Sequence, residues 1–283
     1  MNSCLIIGAG NVARRVLPLL KGLGPVFTLC RRTEAFPQWR TLGAVPLLGD
    51  LDHPHTLQRL TGLARTILHF APPGSTGQDD ARTRHLLAAL GRATSLPQRL
   101  IYISTTGVYG SSAGAWLDET SPVRPHTARA RRRVDAETQL RAFGRRTGCR
   151  VVVLRAPGIY GEHRLPLKRL QNGVPLPLEN PWINHIHELD LARSVVAACT
   201  LGKSQRVYNV VDDQPLPVGD FYRCLAQHHN LPLPTFLPLS ELEKILDPFN
   251  LSFLKESRRI HNRRIKQELH LNWRYPSVHS FLK

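Results

Sequence analysis

The chain has 283 residues, of which 42% are hydrophobic and 21% charged, a composition typical of a globular protein with a buried core. No run of about 18 apolar residues occurs, so we expect no transmembrane helix. Scattered cysteines without a C-x-x-C pair indicate reduced thiols, and they are Cys4, Cys30, Cys149, Cys199 and Cys224. No basic segment followed by a long apolar stretch opens the chain, so we expect a cytoplasmic location.

Positive charge is the unusual feature of the composition. The chain carries 38 Lys and Arg residues against 21 Asp and Glu, a formal net charge of +17. Such a surface attracts anions, so charge alone would allow nucleic acid, acidic membrane or phosphorylated small molecules as partners. No helix-turn-helix, zinc-finger or RNP pattern is present, so we do not expect nucleic-acid binding to be the main function.

Strand and helix patterns alternate along the chain. Short apolar runs predict strands at residues 4–7, 26–30, 44–48, 66–70, 99–103, 151–154 and 206–211. Apolar residues at helical spacing predict helices at residues 11–20, 33–42, 57–63, 79–90, 134–143 and 189–201. Repeated strand–helix–strand units predict an α/β fold, a doubly wound parallel sheet with helices on both faces. After Pro157 prolines recur, and shorter elements predict a smaller, irregular lobe.

A glycine turn follows the first predicted strand. Gly8 permits a tight turn, Gly10 lets the backbone approach a pyrophosphate, and the small Ala13 allows close helix packing. Asn11 and Val12 begin the helix at this turn. The pattern G-x-G-x-x-A in this position predicts a Rossmann-type dinucleotide site.

The end of the second predicted strand indicates which dinucleotide is bound. An NAD site usually has an acidic residue there, whereas this chain has Arg31 and Arg32. A guanidinium suits the 2′-phosphate of NADP, so NADP is favoured over NAD. The alternative interpretation is that both arginines are simply solvated.

Gly-Asp-Leu at residues 49–51 and His-Phe-Ala at residues 69–71 resemble segments that lie beside the cofactor in the extended short-chain dehydrogenase/reductases, the NAD(P)-dependent epimerase/dehydratase-like family. Ser-Thr-Thr-Gly-Val-Tyr-Gly at residues 104–110 and Leu-Arg-Ala-Pro-Gly-Ile-Tyr-Gly at residues 154–161 resemble its fifth- and sixth-strand signatures. The resemblance extends to His-Glu-Leu-Asp-Leu-Ala at residues 187–192 and Tyr-Asn-Val at residues 208–210, and so covers nearly the whole chain.

The resemblance implies cofactor contacts and a domain arrangement. The predicted cofactor-binding residues are Gly8, Gly10, Asn11, Val12, Arg31, Arg32, Asp50, Leu51, Ala71, Pro72 and Pro157. Residues 1–160 would form the NAD(P)-binding Rossmann domain. Residues 161–283 would form a smaller C-terminal substrate lobe, interleaved with the Rossmann core in a single structural unit.

The chain departs from the family at the residues that carry its chemistry. The family uses a Tyr, a Lys four residues later and a Ser or Thr. Thr105 occupies the hydroxyl position, but the Tyr position falls on Arg129 and the Lys position on Arg133. A guanidinium stays charged, so Arg129 would contact an anion or oxyanion and would not transfer a proton. His126, Tyr109 and Tyr160 are candidate replacement acids.

Three interpretations of function remain open. The first is an atypical NADP-dependent epimerase, dehydratase or reductase that acts on a carbonyl or nucleotide-sugar substrate, which would be a small and anionic molecule. The second is a non-catalytic NADP-binding regulator or sensor, favoured by the loss of Tyr and Lys. The third is a basic nucleic-acid-binding protein. The histidine pairs, including His185 and His187, lack ligand partners at known spacing, so we expect no metal. A homodimer is compatible with this fold.

Overall fold

A computed structural model of the chain describes residues 3–22 and 24–283. Met1, where the first predicted domain begins, lies outside these ranges. The strands in chain order are β1 (Cys4–Ile7), β2 (Val26–Cys30), β3 (Val45–Leu48), β4 (Thr66–His69), β5 (Arg99–Thr105), β6 (Trp116–Leu117), β7 (Arg150–Ala156), β8 (Gly158–Tyr160), β9 (Leu176–Pro177), β10 (Trp182–Ile183), β11 (His185–His187), β12 (Arg206–Asn209), β13 (Leu216–Pro217), β14 (Phe236–Leu237) and β15 (Arg259–Ile260).

Helices occupy most of the chain between the strands. The α-helices are α1 (Asn11–Val16), α2 (Phe36–Thr41), α3 (Ala81–Leu90), α4 (Ala128–Thr147), α5 (Leu167–Gln171), α6 (Glu188–Leu201), α7 (Val218–His228), α8 (Leu239–Ile245), α9 (Pro248–Leu254), α10 (Arg263–Leu269) and α11 (Val278–Leu282). The 3₁₀ helices are Leu17–Leu20, Thr33–Ala35, Pro54–Leu60 and Thr106–Tyr109.

The main sheet has seven strands in the order β12-β7-β5-β4-β1-β2-β3. Every pair in it is parallel. The order reverses beside β1, which pairs with β2 on one side and β4 on the other. This confirms the predicted α/β fold with a doubly wound parallel sheet, and it places a crevice at the carboxyl ends of these strands. β12 joins the sheet from the chain beyond residue 160, whereas a domain division at that residue remains a prediction.

Side chains of the sheet alternate between two hydrophobic layers. Ile6 and Leu154 belong to the layer that packs against α1 and α6, whereas Leu5 belongs to the layer under α3 and α4. Because both faces are covered, the strands are apolar at nearly every position, which is why they are visible in the sequence. Smaller apolar clusters hold the segments after residue 160 together.

Two predicted helices differ from the structure. The apolar spacing predicts a helix at residues 57–63, but a 3₁₀ helix covers Pro54–Leu60 because Pro54 begins it early. The helix predicted at residues 134–143 is twice as long, and α4 covers Ala128–Thr147. The Thr127 side chain accepts a hydrogen bond from the Ala130 N–H and so caps this helix at its start.

A buried ion pair joins α4 to the sheet. The Glu137 carboxylate accepts hydrogen bonds from Arg155 Nε (3.1 Å) and Nη2 (2.7 Å) and from the Ser104 hydroxyl (2.6 Å). Both charged side chains are only 6% exposed. Ser104 lies on β5 and Arg155 on β7, so one carboxylate connects the helix to the carboxyl ends of two central strands. A buried pair of this kind is costly to break, because the remaining charge is left unpaired.

We expect Glu137→Gln to lower the free energy of unfolding by about 3–5 kcal/mol, because it leaves the Arg155 guanidinium buried without a counter-charge. Urea denaturation measures this change. The control is Asp220→Asn, which breaks the exposed Arg223–Asp220 pair and should cost less than about 1 kcal/mol. Equal, small losses for both variants would show that the buried pair does not hold the helix in place.

Candidate functional site

The first cavity lies at the carboxyl ends of β1, β2 and β4 and has a volume of about 530 Å³. It brings together eight of the predicted cofactor residues, which are Gly8, Gly10, Arg31, Arg32, Asp50, Leu51, Ala71 and Pro72. Asn11 and Val12 stand instead in the first turn of α1, beside the cavity. Pro157 lines a second cavity, described below.

The glycine turn is pressed against the end of β4. Gly8 has a φ of +102°, and a Cβ at this position would lie 2.4 Å from the Ala71 nitrogen. The Ile7 carbonyl accepts hydrogen bonds from the N–H groups of Phe70 (2.7 Å) and Ala71 (3.0 Å). A Cβ on Gly10, in contrast, would meet nothing within 4 Å, because this residue faces open space. Gly8 is therefore required by the fold, and Gly10 leaves room for a ligand.

Guanidinium groups line the side of the first cavity that follows β2. Arg31 and Arg32 are exposed there, and neither forms an ion pair within the described part of the chain. Arg82 also lines the cavity, which sequence reasoning missed because α3 lies fifty residues further along the chain. Its Nε and Nη2 donate to the Asp52 carboxylate at 2.7 and 2.6 Å. These hydrogen bonds lower the pKa of Asp52, so Arg82 is already neutralised.

The second cavity has a volume of about 350 Å³ and lies beside the carboxyl ends of β5 and β7. Thr105, Arg129 and Pro157 line it, so the structure brings both predicted catalytic residues to one place. Thr105 Oγ1 accepts a hydrogen bond from the Gly107 N–H at 3.1 Å, which leaves the hydroxyl proton for a ligand. Thr106, Gly107 and Gly158 also line it, and the rest of the lining comes from the segments after residue 160, including α7 and α9.

Arg129 and Arg133 have different surroundings. The guanidinium carbon of Arg129 lies 3.7 Å from the centre of the Phe253 ring, and Nη1 donates to Ser252 Oγ at 3.0 Å. Arg133 instead points at β5, where Nη1 donates to the Tyr102 hydroxyl at 2.9 Å and to the Ile103 carbonyl at 2.8 Å. Arg133 is therefore held by hydrogen bonds to β5, whereas Arg129 faces the cavity.

The three replacement acids considered from the sequence line neither cavity. The Tyr109 hydroxyl donates to Asn209 Oδ1 at 2.8 Å, and Arg155 lies over its ring. Burial raises the pKa of Tyr160, which packs among His187 and Phe281. His126 is exposed beside Gly110. These contacts are structural, and none of the three side chains stands where it would give a proton to a ligand in either cavity.

His185 is a cavity residue that sequence reasoning considered only as a metal ligand. Its ring stacks on Phe221 with 4.2 Å between the centroids. Among residues 3–22 and 24–283, Nδ1 of His185 has no hydrogen-bond partner. Strand register places it near Thr105 at the carboxyl end of the sheet, since Thr105 is paired with Ala156 and His185 with Gly158. Burial lowers the pKa of His185 to about 3, so the imidazole is neutral.

Within residues 3–22 and 24–283, no group of three or more His, Cys, Asp or Glu side chains is arranged to hold a metal ion. No helix in the described part of the chain has the length and apolar character needed to cross a membrane. The five cysteines are free, and Cys224 is the least buried.

The sheet order, the glycine turn and the crevice beside β1 define a Rossmann-type α/β protein. The model of the NAD dependent epimerase/dehydratase family matches residues 4–211. The chain belongs to this family, and so to the extended short-chain dehydrogenase/reductases.

Individual relatives are similar at modest identity. A functionally unknown conserved protein from Silicibacter pomeroyi DSS has a similar structure, with a TM-score of 0.81 and 30% identity over 100% of this chain and 97% of that one. Human dTDP-D-glucose 4,6-dehydratase is 26% identical over 201 residues, 63% of this chain. The matches span 39% to 57% of the lengths of the mammalian dTDP-D-glucose 4,6-dehydratases.

A reductase is also among the relatives. The 4-hydroxy-2-methyl-3-oxo-4-farnesyl-3,4-dihydroquinoline-1-oxide ketoreductase of Stigmatella aurantiaca is 26% identical over 239 residues, which cover 78% of this chain and 71% of that protein.

Two buried histidines should make the stability of the fold depend on pH. Burial lowers the pKa of both His69 and His185 to about 3, against about 6.5 in an unfolded chain. Between these values the unfolded chain binds more protons, so stability is lost as the pH falls below 6.5. From pH 7 to pH 5 we expect the free energy of unfolding to fall by roughly 2 kcal/mol per histidine.

Urea denaturation at several pH values measures this dependence. His185→Asn should remove about half of the effect, whereas replacement of the exposed His55 by Asn should leave it unchanged. NMR should show no titration of the His185 ring above about pH 4. A His185 ring that titrates near pH 6.5 would contradict the burial of this side chain.

Proposed function

We propose that the chain binds NADP in the first cavity and acts as a reductase on a carbonyl compound held in the second. One observation carries this proposal: the glycine turn and the unpaired guanidinium groups of Arg31 and Arg32 line the same cavity. A pyrophosphate fits beside Gly10. The positively charged guanidinium groups of the two arginines offer hydrogen-bond donors to a negatively charged 2′-phosphate. A cytoplasmic location and a homodimer remain predictions.

The second cavity supplies groups that orient a carbonyl. A bound nicotinamide supplies hydride chemistry, so the protein needs to position the substrate and stabilise charge on its oxygen. Thr105 offers a hydroxyl proton there, and the neutral imidazole of His185 is able to donate one N–H. Arg129 stays charged and attracts a negatively charged group of the ligand without transferring a proton. This arrangement, together with the similar ketoreductase, favours reduction over dehydration.

A non-catalytic NADP-binding regulator is the second candidate. The observation that favours it is that Arg133 is engaged by Tyr102 and the Ile103 carbonyl, where the family has its Lys. Consumption of NADPH in the presence of a panel of ketones separates the two proposals. Turnover that falls with Thr105→Val supports the reductase, whereas NADPH binding without turnover of any ketone supports the regulator.

The preference for NADP is tested with Arg31→Ala combined with Arg32→Ala. We expect NADPH binding, followed by nicotinamide fluorescence, to weaken about 10- to 100-fold, because a hydrogen bond to a charged group contributes about 1.5–3 kcal/mol. NADH binding should be nearly unchanged. Arg84→Ala is the control, since this exposed arginine on α3 lies outside the cavity. Equal losses for both cofactors would reject the 2′-phosphate assignment.

The two glycines of the turn should respond differently to substitution. Gly8→Ala places a Cβ against backbone at positive φ, so we expect a loss of stability of about 2 kcal/mol or more, measured by urea denaturation. Gly10→Ala should fold with nearly unchanged stability, because nothing lies within 4 Å of the new Cβ. It should nevertheless weaken NADPH binding roughly tenfold or more, because the methyl group holds a pyrophosphate away. Unchanged NADPH affinity of Gly10→Ala would place the cofactor elsewhere.

A further inference from the structure

The second cavity carries an excess of positive charge. Arg129, Arg169 and Arg258 line it, together with the carboxylate of Glu256. That carboxylate is already paired, since Arg258 Nη1 lies 2.6 Å from Glu256 Oε2. Among the described residues, neither Arg129 nor Arg169 forms an ion pair. Two guanidinium groups are thus left to attract an anionic ligand.

Of these two arginines, Arg129 has the surroundings that point most directly to an anionic ligand. It is half-buried, and burial lowers the pKa of its guanidinium. The group remains charged at neutral pH, so it is partly removed from water, and the nearby Glu256 carboxylate is paired with Arg258 instead of with Arg129. Phe249 and Phe253 contact it through their rings, at 5.1 and 3.7 Å between the guanidinium carbon and the ring centres. These contacts hold the side chain in place and leave most of its donors unused, which favours an anion as the missing partner.

The position of Arg129 indicates where the anionic group lies on the ligand. Arg129 shares a small cavity with Thr105 and His185, the groups that would contact a carbonyl oxygen. An anion bound at Arg129 therefore occupies the same small cavity as that carbonyl. A carboxylate next to a ketone satisfies this geometry, and it pairs with guanidinium in two parallel hydrogen bonds.

Aromatic side chains form much of the remaining lining. Trp182, Phe221, Tyr222 and Phe253 all contribute to it. Phe221 is buried beneath the His185 ring, and burial raises the pKa of Tyr222. Aromatic faces favour flat rings through stacking. The volume of about 350 Å³, against about 530 Å³ in the first cavity, suits one compact molecule.

We propose that the second cavity binds a small aromatic oxo acid, with its carboxylate on Arg129, its ketone toward Thr105 and His185, and its ring against the aromatic lining. The proposal rests on the proposed function in one respect, namely that this cavity is the substrate cavity. In this proposal Arg129, which stands at the position of the family's Tyr, selects the substrate by its charge.

Isothermal titration calorimetry on the full chain tests the proposal, with benzoylformate as the probe. We expect benzoylformate to bind at least roughly tenfold more tightly than its neutral methyl ester and than pyruvate, because the ester lacks the charge and pyruvate lacks the ring. These comparisons use the unchanged protein and do not depend on the folding of a variant. Equal binding of the ester would overturn the proposal.

Arg129→Gln provides the matched variant. This substitution should lower the affinity for benzoylformate roughly tenfold or more and leave the affinity for the methyl ester unchanged. Arg131→Gln is the control, because Arg131 is exposed on the same helix and donates to Gln78 instead of lining the cavity. Melting temperatures of both variants should match that of the parent protein. Tighter binding of dTDP-glucose than of benzoylformate would assign the cavity to a nucleotide sugar and overturn the proposal.

NADPH titration of the same preparation keeps the two proposals separate. Discrimination between benzoylformate and its ester without NADPH binding would support the oxo-acid site and reject the proposed cofactor. NADPH binding without that discrimination would reject the oxo-acid site alone.

Discussion

The buried contact between Glu137 and Arg155 is the constraint on which the second cavity depends. It fixes α4 against the carboxyl ends of β5 and β7, with Ser104 as a third partner. Thr105 follows Ser104 on β5, Pro157 follows β7, and Arg129 lies two turns before Glu137 on α4. One ion pair therefore sets the relative positions of three segments that line the cavity. It stands at the centre of a rigid sheet, where small displacements are costly.

The Rossmann half of the chain could be predicted because its structure is encoded locally. The inner strands of the parallel sheet are buried on both faces and read as apolar runs, and the glycine turn is a contiguous pattern. The errors have local causes as well. Pro54 begins its short helix three residues before the apolar spacing does. The first turns of α4 are rich in arginine, so no apolar periodicity marks them, although Thr127 caps the helix.

The second cavity could be predicted only in part. Thr105, Arg129 and Pro157 were found because they stand in family-like segments. Arg169, Trp182, Tyr222 and Arg258 were missed, since they come from short elements after residue 160 that only tertiary packing brings together. His185 was visible in the sequence as half of a histidine pair. Its burial and its stacking on Phe221 could not be read from that spacing.

The contact between the glycine turn and β4 has a consequence for how the first cavity forms. The Ile7 carbonyl is held by two N–H groups from residues more than sixty positions later, and Gly8 has no space for a side chain because that backbone lies against it. The turn therefore reaches its final shape only after a long loop of chain has closed, which is a slow kind of event in folding. During synthesis, a nascent chain that ends before β4 would carry the complete glycine pattern and still lack a formed crevice.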